Sequence, residues 1–187
     1  RRDVTCARYS NVNDTIAACS NSTNLFVGKW NRAWSTKALG ASSSKGTGIN
    51  WPLMRYSDVL LMLAEADNEL NGAPTELAKS SLKAVRERAF ASSATYSKDV
   101  DSYVDSVSSG KDAFFNAIVN ERAWEFGGEC IRKFDLVRWN NYGDVINNVV
   151  AQMNNWAIAI DSVLTNLVTD KYPNAIKYKS WADNLYY

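Results

Sequence analysis

The sequence predicts an all-α chain, helical hairpins joined by long irregular loops. Two stretches carry apolar residues at helical spacing, Tyr56 to Leu70 and Val145 to Val168. Between them, Asn71-Gly72 followed by Pro74 punctuates one helix from the next. We expect a single domain: an irregular region over 1–50, a helical core over 51–168 and an irregular tail over 169–187.

Residues 1–50 are rich in Ser, Asn, Thr and Gly, as in "SNVNDTIAACSNSTN" and "ALGASSSKGTGIN". Such side chains compete with regular structure through local hydrogen bonds. Short strands fit near Val4–Tyr9 and Leu25–Val27. "GTGIN" lacks the later glycines and the Lys-Ser/Thr of phosphate-binding loops. From Pro52 the pattern turns helical: Tyr56, Val59, Leu60, Leu63, Ala64, Asp67 and Leu70 share one face. Asn71-Gly72 suits a left-handed cap. Thr75 caps a second helix to about Ala89, with Leu77, Leu82, Ala84 and Val85 inward. The short connection makes the pair an antiparallel hairpin.

The Ser-rich stretch 91–110 shows no clear period and reads as a surface loop. Asp112 caps a helix over 113–126 with Phe115, Ile118, Val119 and Phe126 on its stripe and Arg122 in the middle of it. Gly127-Gly128 ends it. A shorter helix carries Ile131, Phe134, Leu136 and Val137. A last helix begins near Asp144 with Val149, Met153, Trp156, Ile160, Val163 and Leu167, widened by Val145, Ile146, Val150, Ala157, Leu164 and Val168. That face is broader than a coiled-coil seam, so a core helix is expected.

Composition narrows function. The chain has 187 residues and a formal charge of +1, which makes no case for a nucleic-acid partner. Its longest apolar run, "VLLMLA" from Val59 to Ala64, is far short of a membrane helix. No signal peptide is visible, and the chain opens on Arg1-Arg2-Asp3 without Met, which suggests a fragment of a longer protein. There is no histidine, so Ser-His-Asp and Cys-His systems and His-bound metals are excluded from this stretch. Three scattered cysteines cannot form a Cys₄ zinc site. Cys6 and Cys19 would bridge in an exported protein or stay as two thiols. Cys130 reads as a packed, inert thiol with no His to activate it.

The charged run "NERAWEFGGECIRKFDLVRWN", Asn120 to Asn140, is the main candidate for chemistry. Glu121 and Glu125 lie one helical turn apart, a spacing open to an acid/base pair. A catalytic pair needs two different environments and normally flanks its substrate from different elements. The structural reading is the better one. Arg122 on an apolar stripe cannot be buried unpaired, and we expect a carboxylate from residues 125–135 beside it. Glu129 and Asp135 can reach back, and Arg132, Asp135 and Arg138 stand three apart in a ladder. Glu121, Arg122, Glu125, Glu129, Arg132, Asp135 and Arg138 are therefore expected to form an ion-pair lattice that pins helices across the Gly-Gly corner, and no catalytic residue is expected.

Three segments together carry a resemblance: "NWPLMRYSDVLLMLAEADNEL", "LKAVRERA" and "IVNERAWEFGGECIRKFDLVRW". Their order and spacing over Arg55–Ala66, Val85–Ala89 and Glu121–Trp139 resemble the C-terminal half of the SusD/RagB family of outer-membrane nutrient-binding lipoproteins. "RRDVTC" resembles the segment upstream. One departure is Cys130, where family members often carry Gly. The resemblance implies helical hairpins of tetratricopeptide-like shape. It implies a lipid-anchored protein exposed on the outer membrane of a Bacteroidetes-like cell, its anchor outside this chain. It also implies binding of glycan or another nutrient without cleavage, a SusC-like TonB-dependent transporter as partner, and no cofactor or metal. The alternative is a helical-repeat scaffold that binds only protein. For sugar contact, "GKWNRAWST" offers Trp30 and Trp34 as stacking faces, with Asn31, Lys29 and Arg32 for hydroxyls. Tyr96 and Tyr103 are further candidates, whereas Trp124 and Trp139 are expected to pack.

Overall fold

The computed structural model describes residues 5–7, 9–12, 15–18, 26–30 and 50–163. The expected tail, Trp34, Asn31, Arg32, Cys19 and the stripe residues beyond Val163 lie outside them. The fold is all-α, with two short antiparallel ladders before the helices. β1 (Cys6–Ala7) pairs with β4 (Phe26–Val27), and β2 (Tyr9–Val12) pairs with β3 (Thr15–Ala18) in the register Tyr9↔Ala18 to Val12↔Thr15. The second ladder lies in a tract expected to be irregular. The polar composition of that tract did not exclude a ladder. The chain forms two compact units, Arg1–Cys130, which includes both ladders, and Ile131–Tyr187.

In the first unit, α1 (Tyr56–Asn71) and α2 (Glu76–Phe90) form the hairpin. Gly72 closes α1 in the left-handed conformation at φ 69°. The Thr75 hydroxyl accepts from the Leu77 amide at 3.1 Å to cap α2. Asp67 ties the two together, its Oδ2 accepting from the Thr75 amide at 3.1 Å and the Thr75 hydroxyl at 2.7 Å. A π-helical turn, Lys98–Ser102, runs into α3 (Tyr103–Val107), and α4 (Lys111–Glu125) packs on α1. The 91–110 stretch is thus largely helical rather than a loop. Val100 and Val104, one turn apart, are buried, and serines on the other faces hid that period.

The buried faces differ from the expected ones. On α1 the inward residues are Ser57, Leu61, Ala64, Glu65 and Asn68; of the expected stripe, Ala64 alone is fully buried. Tyr56 is 74% exposed and Leu70 86%, and Val59, Met62 and Leu63 are exposed with them. Both sides of this helix are apolar, so periodicity could not choose between them. Polar anchors on the inner side choose: the Asn68 amide donates to the Lys111 carbonyl at 3.0 Å, deep in the core. On α2, Ala78, Ser81, Leu82, Val85 and Arg86 turn inward, while Leu77 and Ala84 are exposed. On α4 the buried set is Phe114, Ala117, Ile118, Glu121, Arg122 and Glu125, with Phe115 and Val119 half-buried.

The corner after α4 depends on a glycine. Gly128 sits at φ 80°, and a Cβ there would lie 2.7 Å from Val27 Cγ1. Cys130 also has positive φ, 61°, and its thiol is free and exposed rather than packed. The left-handed region costs an L-residue roughly 1–2 kcal/mol, partly offset by the entropy that glycine loses on folding. Cys130→Gly is therefore expected to raise stability by up to about 1 kcal/mol, read as a shift in urea midpoint. In the parent protein Cys130 should label with a thiol reagent in the native state.

In the second unit, α5 (Arg132–Arg138) packs on α6 (Tyr142–Val163). Leu136 and Asp135 are buried, but Phe134 and Val137 are exposed. The described part of α6 is also less buried than a core helix would be. Val149 is exposed and Val145, Ile146, Val150 and Met153 are half-buried.

Candidate functional site

The charged run meets its partners inside the first unit. Arg55, the N-cap of α1, reaches Glu125 at the end of α4 and Glu129 just beyond it. Its Nε and Nη2 fork onto Glu129 Oε2 and Oε1, both at 2.9 Å, and its Nη1 donates to Glu125 Oε1 at 2.5 Å. Lys29 Nζ donates to Glu129 Oε1 and to the Glu125 carbonyl, each at 2.5 Å. Arg88 of α2 pairs with Glu125 Oε1 through Nη2, which also donates to the Ser57 hydroxyl at 3.3 Å. Among the described residues, three cations from three parts of the chain thus enclose two carboxylates.

Two neighbouring pairs lie deeper, one sealed in the core and one at its edge. Glu121 has no exposed surface and accepts from Arg86 Nη1 at 2.7 Å. Arg86 also donates to the Asp99 carbonyl, by Nε at 2.8 Å and Nη2 at 2.5 Å, and its guanidinium lies 3.6 Å from the Tyr103 ring centre. Arg122, 4% exposed, donates to Asp58 Oδ1 of α1 at 2.6 Å, a partner that sequence spacing did not suggest. In the second unit Arg138 contacts Asp135 at 3.5 Å, and Arg132 lies 5.5 Å over the Trp139 ring.

The Lys29–Arg55–Arg88 cluster forms the wall of an open cleft of about 470 Å³. Thr5, Trp30, Pro52, Ala89, Trp124, Glu125 and Glu129 also line it. Trp30 ends a short 3₁₀ turn, Gly28–Trp30, and stacks on Trp51 with ring centres 4.5 Å apart. Trp124, expected to pack, is 48% exposed and faces this cleft. Its signal is legible in hindsight, because Trp124 falls on the opposite side of α4 from Arg122. The two tyrosines are not in the lining. Tyr96 donates its hydroxyl to Glu87 Oε1 at 3.2 Å, and the face of Tyr103 carries Arg86. A second, more apolar hollow of about 450 Å³ adjoins across Thr5 and Trp124, with Arg86, Phe90, Ala123, Gly127 and Cys6 around it.

Electrostatics follow from this geometry. Burial alone would raise the Glu129 carboxyl, but hydrogen bonds and charge from Arg55 and Lys29 outweigh it and hold it below its ordinary 4.5. Burial opposes the Arg55 cation, and the same two carboxylates overcome that and raise it. The folded chain binds the Glu129 proton more weakly than the unfolded chain does. The resulting stabilisation is complete above about pH 4.5 and is lost as pH falls through the lower folded value. Acid melts should show this loss. Glu129→Gln should be less stable at neutral pH and show a shallower acid slope.

No group of three or more His, Cys, Asp or Glu among the described residues is placed to hold a metal ion. No helix among them is long and apolar enough to cross a membrane. The architecture is that of a solved SusD homolog from Bacteroides thetaiotaomicron. The TM-score is 0.66 over 84% of this chain and 32% of that one, at 23% identity. The family model described as "SusD family" matches residues 3–183. The chain belongs to the SusD family. It is 40% identical over 98 residues to SusD-like protein P25 of Formosa agariphila, a match covering 52% of this chain and 16% of that protein. This SusD-family chain therefore spans well under half the length of either relative. The family signature falls on α1, α2 and α4–α5, the elements that carry the ion pairs.

Proposed function

We propose that the chain forms part of a binding protein that captures a glycan or other nutrient at the cell surface and passes it, uncleaved, to a SusC-like TonB-dependent transporter. In this reading the longer protein is held at the outer membrane by a lipid anchor outside this chain. Family membership supports the class, and the observation that carries the reading to a place is the indole-walled cleft. Its volume suits a small sugar segment. The exposed face of Trp124 and the Trp30 ring, which is backed by Trp51, offer flat apolar surface to a sugar ring, while Arg88 offers donors to its hydroxyls. Asn31 and Trp34 stay in the proposal as the next residues of the same segment, outside the described structure. A non-catalytic role is consistent with Glu121 and Glu125 each being held by arginines.

Trp124→Ala tests the site. The half-exposed indole contributes little to the core, so the melting temperature should hold while affinity for glycans, titrated calorimetrically across a panel, falls. Unchanged affinity in a folded variant would remove the cleft from consideration. Trp30→Ala and Trp34→Ala together are a harsher test, because Trp30 also stacks on Trp51.

A second reading has its own observation. The exposed α1 stripe of Tyr56, Val59, Met62, Leu63 and Leu70 is a surface of the kind that protein partners cover. In that reading the chain is a helical scaffold and the transporter its partner. Leu63→Lys would then abolish co-purification with the transporter and leave glycan affinity intact.

A further inference from the structure

We infer that the cleft selects a sugar that carries an anionic group, a carboxylate or a sulfate ester, placed against Arg88. The inference rests on the reading that this cleft binds a glycan and names the class of glycan. Among the described residues the wall carries three cations and two carboxylates, a balance that favours an anionic ligand. Arg55 and Lys29 are turned into the carboxylates, with side chains 26% and 18% exposed. Arg88 differs: its side chain is 60% exposed. Among the described residues only its Nη2 makes hydrogen bonds, to Glu125 and Ser57. Nε and Nη1 remain, donors on the planar guanidinium that can meet the oxygens of a carboxylate or sulfate. Glu125 shares Arg88 with any such ligand, but it already accepts from Arg55, so its charge is countered twice. Trp124 and Ala89 line the same cleft, which brings an apolar face for the sugar ring beside the anion-binding fork.

The experiment titrates the protein with galactotriose, trigalacturonic acid and a sulfated galactotriose at low salt and again at about 0.5 M NaCl, where charge is strongly screened. The expected result is that at least one acidic trisaccharide binds about tenfold more tightly than the neutral one at low salt, and that the advantage shrinks at high salt. Which acidic probe binds tells carboxylate from sulfate. Arg88→Gln should bring the acidic probe down to the neutral level, and Arg88→Lys should restore part of the difference. Circular dichroism melts of each variant accompany the titrations. If Arg88→Gln does not fold, the salt dependence of the parent protein decides. Equal binding of neutral and acidic probes, or an acidic advantage that survives Arg88→Gln or high salt, overturns the inference and leaves the glycan-binding reading standing. No binding of any probe overturns both.

Discussion

Arg86→Ala should lower the unfolding free energy by about 3–5 kcal/mol, the usual cost of leaving a buried charge without its partner. Glu121 is wholly enclosed and Arg86 nearly so, and they meet at 2.7 Å. The substitution also removes two hydrogen bonds to the Asp99 carbonyl and the cation that covers Tyr103. The π-helical turn at Lys98–Ser102 therefore loses one of its ties to α2 and keeps the exposed Lys83–Asp101 pair. Urea melts of the parent and variant measure the effect, and a change under about 0.5 kcal/mol, ordinary for a surface position, would refute it. A double variant that replaces both charges, Arg86→Met with Glu121→Leu, should recover much of the loss, because well-packed apolar pairs often match a buried ion pair.

Arg122→Ala should cost about 3 kcal/mol, the lower end of the same range. Its partner Asp58 keeps 13% of its side-chain surface exposed, so water can rescue part of the orphaned charge. The Arg122 cation also lies 5.0 Å over the Phe126 ring, and alanine removes its attraction to that ring as well. Asp58→Asn should be milder than Arg122→Ala, since the amide oxygen still accepts a hydrogen bond. The two effects, measured with the double variant, should fall short of additivity by the coupling of the pair. Full additivity would mean that Asp58 and Arg122 do not stabilise one another.

Parts of this fold were legible residue by residue. Asn71-Gly72 and Thr75 marked the turn between α1 and α2, because a left-handed cap and an N-cap oxygen are local requirements. Burial of Arg122 followed from its place on an apolar stripe. Its pairing with Asp58 did not, since those residues stand 64 positions apart. Trp30 was marked by its polar segment, and the structure places it on the cleft. Lys29 was marked only as a hydroxyl donor, and Arg55 and Arg88 only as signature residues. That they share a cavity is a property of the folded chain.

By itself the sequence determined the helical class, the hairpin and the family, and it marked Glu121–Arg138 as a charged run without naming the partners that lie outside it. Each is written in local spacing or in a motif, and local spacing survives without a partner. Only the tertiary structure decided which side of α1 faces the core, that 91–110 is mostly helical, and which cation meets which carboxylate. A helix with two apolar sides has no preferred direction until a neighbour supplies Asn68 with an acceptor and Asp58 with a cation. Charges likewise have many possible partners in an unfolded chain, and close packing leaves each buried one only the partner within reach.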